Sequence, residues 1–296
     1  MYNCCMDQQL TLTEEIEIND EIDRQLLEEI LLIVQNTNLL PLVSFWGHQK
    51  LQIDKADEQF LKHVMLSINA LIKANALRRN YVQRKDDLIE EIKKDKSISD
   101  TNIDILFNKV DAFILIEAFF GQIKTSLDLL AQSLKPIYGR EFQTWKRKNN
   151  LSGMAIADTL ATSIKNDIKP NAKPIVDLIK HHSESITKIV AHRDDTVHYG
   201  KLNNVQGFRY SVKTKEIVPP LIKITDTEAG YVDEYMLEVL KYIADFVQEF
   251  IITRLSNLLP DMTVAKHKDG HGGWVSGKGG EINGIFEYTK QDPQKA

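Results

Sequence analysis

The sequence predicts an all-α protein, a multi-helix bundle with one small β-hairpin before its last helix. Apolar residues recur at helical spacing through most of the chain. Proline and glycine separate these stretches, and only residues 203–225 alternate in the manner of β-strands. With 296 residues, 43% of them hydrophobic, the chain is long enough to bury a sizeable core.

Two helices are expected in the N-terminal third, which we assign to an extension over residues 1–100. The first helix has Thr13 as its N-cap and runs to about Asn36, and the second covers about 55–94. Residues 1–36 carry nine acidic side chains and one arginine, a net charge of −8. This excess indicates either a solvated acidic helix face or a segment that shields a basic cleft.

A central helix is expected at about 102–135, and residues 113–120 within it are apolar on nearly all sides. This pattern is typical of a helix buried by several neighbours. Glu117 is the only charge in that run, and Asp128 lies three turns further along the same edge. Because a buried carboxylate needs a cationic partner, we expect Glu117 to pair with Arg193 or with another buried cation.

Helix-ending residues divide the second half of the chain. Pro136 and Gly139 are expected to end the central helix, and a further helix covers about 152–169. The next helix ends at Gly200, and the last one covers about 230–259. Together with the hairpin at 203–225, these elements form a helical bundle over 102–259. Residues 261–296 hold half of the 14 glycines and show little periodicity, which predicts a flexible tail.

Several classes of protein are excluded by composition. No apolar run reaches membrane-spanning length, and the N-terminus lacks the features of a secretory signal. Cys4 and Cys5 are the only cysteines, so a disulfide framework is excluded and a reducing compartment fits. His267 and His271 have no supporting ligands at metal-binding spacing. We therefore expect a cytoplasmic protein without membrane association, metal or cofactor.

An arginine lies in the centre of the apolar stripe of the helix over residues 173–199. The other members of that stripe are Ile175, Ile179, Ile186, Val190 and Val197. A guanidinium cannot be neutralised, so Arg193 must be paired there or must line a polar cleft. Asp194 and His198 lie four residues apart at the edge of the same face, where their side chains can meet. This segment is the strongest candidate for a functional site.

The segment from Arg193 to His198 resembles the Arg-x(4–6)-His motif of the HEPN superfamily (higher eukaryotes and prokaryotes nucleotide-binding). Asp194 follows the arginine at the position where that motif has a polar residue. The central helix over residues 117–130 is also similar to helices of that family. The resemblance covers about residues 102–258, a little over half of the chain.

This resemblance implies a homodimeric, metal-independent endoribonuclease in which two motifs face each other across a cleft. Arg193 would neutralise the scissile phosphate, and His198 would act as general acid or base in attack by the ribose 2′-hydroxyl. Asp194 would orient one of these side chains. The substrate would be RNA, since the chemistry needs the 2′-hydroxyl. The family also implies a toxin–antitoxin or phage-defence setting, with an antitoxin or another defence-system protein as a partner.

Other interpretations remain open. A salt-bridged pair of Arg193 and Asp194, with His198 capping a helix, would have a structural role only, and many HEPN-like proteins lack activity. The alternative function is a catalytically inactive helical module that binds a partner protein or a nucleotide. His182, three turns before Arg193, is expected to line the same cleft or to be a hydrogen-bonded interface residue. His192 is expected to be solvated.

A basic stretch over residues 140–148 is the candidate RNA-binding surface. Its members are Arg140, Phe142, Trp145, Lys146, Arg147 and Lys148. Aromatic rings that stack on bases and cations that contact phosphates suit single-stranded RNA. The alternative is a surface loop that its aromatic side chains anchor to the core.

Overall fold

The computed structural model describes eight ranges of the chain and one further residue. They are 55–95, 98, 103–165, 170–199, 205–224, 228–258, 262–266, 272–277 and 282–287. At 170, 194–199, 258 and in the last three ranges, only the backbone is described. The predicted first helix, with Thr13 and the acidic residues after it, lies outside these ranges.

The described part of the protein is mostly helical, as the sequence predicts. Five α-helices are present in it: α1 (Lys55–Lys94), α2 (Val110–Tyr138), α3 (Met154–Lys165), α4 (Lys173–Tyr199) and α5 (Val232–Leu258). A short 3-10 helix over Pro170–Ala172 precedes α4. None of the described helices is long and apolar enough to cross a membrane.

Helices α1 and α5 are antiparallel neighbours. Near the start of α1, the ring of Phe60 stacks on that of Phe250 near the end of α5, with centroids 6.0 Å apart. Near the other end, the Lys85 ammonium lies 2.6 Å from the carboxylate of Asp233, which is in the first turn of α5. Contacts in this order require the two helices to run in opposite directions.

Helices α1 and α2 also run antiparallel. Ser67 and Ser126 share a buried hydrogen bond of 2.7 Å between their hydroxyls. Arg84, further along α1, pairs with Asp111 at the start of α2, over 2.5 Å. Because buried α1 side chains join the same core as those of the other helices, α1 is a full member of the bundle. Helix α1, which the sequence assigns to the N-terminal extension, thus packs against α2 and α5.

Helix α4 completes the bundle between α2 and α5. Its residue His192 contacts Phe120 of α2 and Tyr235 at the start of α5. Earlier in α4, His182 contacts Tyr242, which lies later in α5. The chain therefore passes up, down, up and down through α1, α2, α4 and α5, and α3 packs against α4.

Two small antiparallel sheets form where the sequence predicts one hairpin. The first comprises β1 (Ile105–Phe107), β5 (Phe208–Ser211) and β6 (Glu216–Val218), with β5 in the centre. The second comprises β4 (Val205–Gln206), β7 (Leu221–Lys223) and β8 (Ala229–Tyr231), with β7 in the centre. Pairing with β5 makes residues 105–107 a strand, so α2 begins at Val110 and not near residue 102. At its other end α2 includes Pro136 and ends before Gly139, whose φ is 66°.

The C-terminal segment contains strands in place of the expected flexible tail. These are β9 (Met262–Lys266), β10 (Gly272–Gly277) and β11 (Ile282–Glu287), which form an antiparallel sheet with β10 in the centre. Trp274 pairs in register with Ala265 and Ile285. Aromatic and β-branched residues favour strands, and this local preference prevails over the glycine content that suggested a tail.

Candidate functional site

The candidate motif lies on the last two turns of α4. The helix is continuous to Tyr199, so Asp194 and His198 are one turn apart on it. The side chains of these two residues are outside the described part of the structure. The Arg193 side chain is half-buried and takes part in an interaction with another group. The structure thus places all three residues on one rigid element.

Next to Arg193, His192 anchors the end of α4 in the core. Only 5% of this residue is exposed. Its ring centroid lies 5.1 Å from that of Phe120 and 5.3 Å from that of Tyr235, and Nε2 lies 3.2 Å from the Tyr235 hydroxyl. The expectation that His192 is solvated is wrong, because this position faces the junction of α2 and α5. Burial also raises the pKa of Tyr235 to about 12.

Glu117 lies on α2, three residues before Phe120, whose ring contacts His192. It is half-buried, and its carboxylate forms no ion pair with any cation in the described part of the chain. The expected buried pair between Glu117 and Arg193 is not formed. Because α2 has one edge toward solvent at this point, a single charge inside an apolar run does not require burial.

Asp128 has a structural role away from Arg193. Its Oδ1 accepts a hydrogen bond from the Lys124 ammonium and another, of 2.7 Å, from the backbone N–H of Trp145. Asp128 lies eight residues after Phe120, which corresponds to about 12 Å along the helix. The carboxylate therefore holds the loop after α2 and does not contribute to the Arg193 site.

His182 forms a second polar cluster at the seam of α4 and α5. Its Nδ1 lies 2.7 Å from the Tyr242 hydroxyl, and its Nε2 lies 2.9 Å from Glu249 Oε2. Because a carboxylate only accepts, Nε2 donates to Glu249. Burial raises the pKa of Tyr242, and the charge of Glu249 adds to this effect.

This cluster is separate from the candidate motif. His182 precedes Arg193 by eleven residues, or about 16 Å along α4. Of the two expectations for His182, the structure shows the hydrogen-bonded interface residue. The sequence did not identify its partners, although Tyr242 and Glu249 are seven residues apart and therefore share a face of α5.

In the basic stretch over residues 140–148, the cationic side chains are exposed, whereas the indole of Trp145 is buried. Arg140, Lys146, Arg147 and Lys148 are exposed, whereas Trp145 is only 1% exposed. The Trp145 ring packs edge-on against Phe246, with centroids 5.6 Å apart. A ring in this position cannot stack on a base, so the predicted RNA contact of Trp145 is corrected. Its role is the alternative one, to anchor the loop.

Two cavities in the described part of the protein lie at opposite ends of α1. One, of about 670 Å³, lies between the end of α1 and the strands β6 and β8. Its wall includes Ile92, Lys93, Ile217 and Tyr231. Another, of about 410 Å³, lies beside His63 at the opposite end of α1. Within the described ranges, no three histidine, cysteine, aspartate or glutamate residues are grouped as metal ligands.

Comparisons of the chain with protein-family models, with curated proteins and with solved structures find no match.

Proposed function

We propose that this protein is a metal-independent endoribonuclease of the HEPN type, with Arg193, Asp194 and His198 as its catalytic residues. The observation that supports the proposal most is the continuity of α4 through Tyr199. In this helix Arg193 directly follows His192, whose ring is buried against Phe120 and Tyr235. Asp194 and His198 are one turn apart on the same helix. A rigid helix end of this kind suits a site that must hold charged groups in fixed positions.

In the proposed reaction, His198 removes the proton of a ribose 2′-hydroxyl, and the O2′ attacks the adjacent phosphorus. The bond from phosphorus to O5′ breaks, and the departing oxygen takes a proton. The products are a 2′,3′-cyclic phosphate and a 5′-hydroxyl. Arg193 stabilises the negative charge that grows on the phosphoryl oxygens. Asp194 orients the imidazole or the guanidinium.

We further propose a cytoplasmic, two-fold dimer in which the ends of two α4 helices face each other, within a toxin–antitoxin or phage-defence system. An arginine on an apolar stripe is better accommodated at an interface cleft than inside one subunit. Light scattering at micromolar concentration should give the mass of a dimer. A strict monomer would argue against this arrangement.

A second candidate function is a catalytically inactive module that binds a partner protein. It is favoured by an apolar patch on β1 and the start of α2, in which Leu106 is 58%, Val110 71% and Ile114 57% exposed. A group of large exposed aliphatic side chains is unusual on a monomer surface and marks many interaction sites.

Cleavage of single-stranded RNA by the purified protein in EDTA tests the nuclease proposal. His198→Ala should lower the rate by about 10²–10⁴-fold, the range for loss of a general acid or base. Arg193→Ala should weaken both binding and cleavage. A substrate with 2′-deoxyribose at the scissile position should resist cleavage. His181→Ala is the matched control, since His181 is an exposed histidine of the same helix.

Two outcomes would reject the proposal: cleavage that requires added magnesium, or His198→Ala and Arg193→Ala variants as active as the parent. If the purified protein does not cleave RNA at all, the partner-binding module becomes the better explanation. Val110→Asp should then abolish capture of the partner, because a charge would replace an exposed contact in the apolar patch.

A further inference from the structure

The apolar patch on β1 and α2 lies between two side chains of opposite charge, and together they form one continuous stripe. At one end, Leu106 of β1 is opposite Arg209 of β5, and opposed residues of an antiparallel pair place their side chains on the same face of the sheet. At the other end, Val110, Ile114 and Glu117 follow at spacings of four and three residues, so they share one face of the helix. This set, which we call the α2 stripe, therefore consists of a cation, three aliphatic side chains and an acid.

The two charges of the α2 stripe are not neutralised within the described part of the chain. Arg209 is exposed and Glu117 is half-buried, and neither forms an ion pair with another described residue. The acids of the same small sheet, Asp104 and Glu216, lie beside Ser211, two residues further along β5. Asp104 accepts a hydrogen bond of 2.9 Å from a backbone N–H there. Both ends of the stripe thus keep a charge that a partner can neutralise.

A second copy of the chain is complementary to this stripe. In an isologous contact the same surface meets itself, so each residue is used twice. If a two-fold axis passes between Val110 and Ile114, the two α2 helices run antiparallel and their aliphatic side chains meet. Glu117 of each protomer then faces the partner's Arg209. A stripe with the same charge at both ends would repel its copy, whereas opposite charges at the two ends attract it in this one direction.

The α2 stripe lies at the same end of the bundle as the candidate motif. The ring of His192 on α4 contacts that of Phe120 on α2, and these two helices run antiparallel. Residues of α4 after His192 are therefore level with residues of α2 before Phe120. These are the residues that carry the motif and the stripe, respectively. A contact between two stripes consequently brings the ends of two α4 helices to the same region of the dimer.

We infer that the α2 stripe is the surface through which two copies of this chain bind each other. The aliphatic side chains form the centre of the interface, with Glu117 and the partner's Arg209 on either side. Burial of six exposed aliphatic side chains, three from each copy, provides the driving force. The opposite charges determine the direction in which the helices pair. The inference deepens the proposed function and rests on it for the role of the dimer, which is to place two motifs at one cleft.

Charge reversal in the full chain tests the interface, with the dimer dissociation constant measured by sedimentation over a series of concentrations. Glu117→Arg should raise this constant by about tenfold or more, because both opposite-charge contacts of the dimer become contacts between like charges. Arg209→Glu should raise it for the same reason. An equimolar mixture of the two variants should restore the dimer, since each contact of the mixed dimer again joins a cation to an acid.

Asp158→Arg is the matched control, because it reverses the charge of another half-buried acid. Asp158 of α3 lies 2.8 Å from the ammonium of Lys148. This lysine belongs to strand β2 (Arg147–Lys148), which forms a hairpin with β3 (Leu151–Ser152). The hairpin packs against α3 and α4. The control should leave the dissociation constant of the dimer unchanged.

Four outcomes would overturn the inference. They are a parent chain that stays monomeric at micromolar concentration, single variants that dimerise as tightly as the parent, a mixture that does not restore the dimer, and an equal loss in the control. RNA cleavage in EDTA by the same samples separates this inference from the nuclease proposal. A restored dimer without cleavage by any sample would support the interface and reject the nuclease. Cleavage by a parent whose dimer is insensitive to both substitutions would do the reverse.

Discussion

Arg254 and Asp57 form a buried ion pair that joins the end of α5 to the start of α1. The Nη2 and Nε of Arg254 lie 2.6 Å and 3.2 Å from Asp57 Oδ1. The two residues are 7% and 4% exposed, so both charges are largely removed from water. Loss of one partner leaves the other charge in a poorly solvated position. The stability of variants at this pair therefore reports how α5 packs against α1.

We predict that Arg254→Met lowers the free energy of unfolding by about 3–5 kcal/mol, the usual cost of removing one partner of a buried pair. Denaturation in urea measures this change. Lys173→Met is the control, because Lys173 pairs with Asp177 at the surface and exposed pairs contribute only about 0–1 kcal/mol. A similar, small change in both variants would show that the Arg254 pair is not effectively buried.

Gly153 and Gly139 offer a second comparison, because both have a positive φ but only one is crowded. Gly139 has a φ of 66° and no neighbour within 4 Å of an added Cβ. Gly153 has a φ of 81°, and its Cβ would meet Trp145 at 2.8 Å and Ile179 at 2.9 Å. Gly139→Ala should lower the free energy of unfolding by about 1–2 kcal/mol through backbone strain alone. Gly153→Ala should lower it by about 1–3 kcal/mol more, because the added methyl group overpacks the site.

Urea denaturation of the two glycine variants measures this difference. Equal destabilisation of the two variants would mean that the Trp145 indole does not crowd Gly153.

Buried tyrosines should make the protein sensitive to alkali. Burial raises the pKa of Tyr138 from an ordinary 10.0 to about 12. Between these values the unfolded chain releases the phenol proton while the folded protein retains it. The stabilising contribution is therefore complete below about pH 10 and is lost as the pH rises towards 12, at about 1.4 kcal/mol per pH unit for each such tyrosine.

Unfolding free energies measured at several pH values in this range test the prediction. Tyr138→Phe should reduce the dependence of the unfolding free energy on pH by the contribution of one tyrosine. Tyr235, with a pKa also near 12, and Tyr81 and Tyr242, whose pKa values burial also raises, should maintain the rest. The same pH dependence in parent and variant would mean that Tyr138 titrates normally in the folded state.

Helical periodicity in the sequence was sufficient to locate most helices. The predicted bounds 55–94 agree with α1, and α4 and α5 begin and end within two residues of expectation where both are described. Local spacing determines these elements because each helix displays its own apolar stripe. The interval 102–109 was misjudged since β1 is a strand only through its pairing with β5, which is more than 100 residues away.

Some features of the candidate site follow from local spacing in the sequence, and others depend on tertiary packing. The sequence by itself identified Arg193 and placed Asp194 and His198 one turn apart, because the spacing of residues on one helix fixes their angular relation. Only the tertiary structure decided that His192 and Trp145 are buried, that Glu117 does not pair with Arg193, and that Asp128 holds a loop. Each of these outcomes depends on which neighbouring helix packs against a given face, and the periodicity of one helix contains no information about that neighbour.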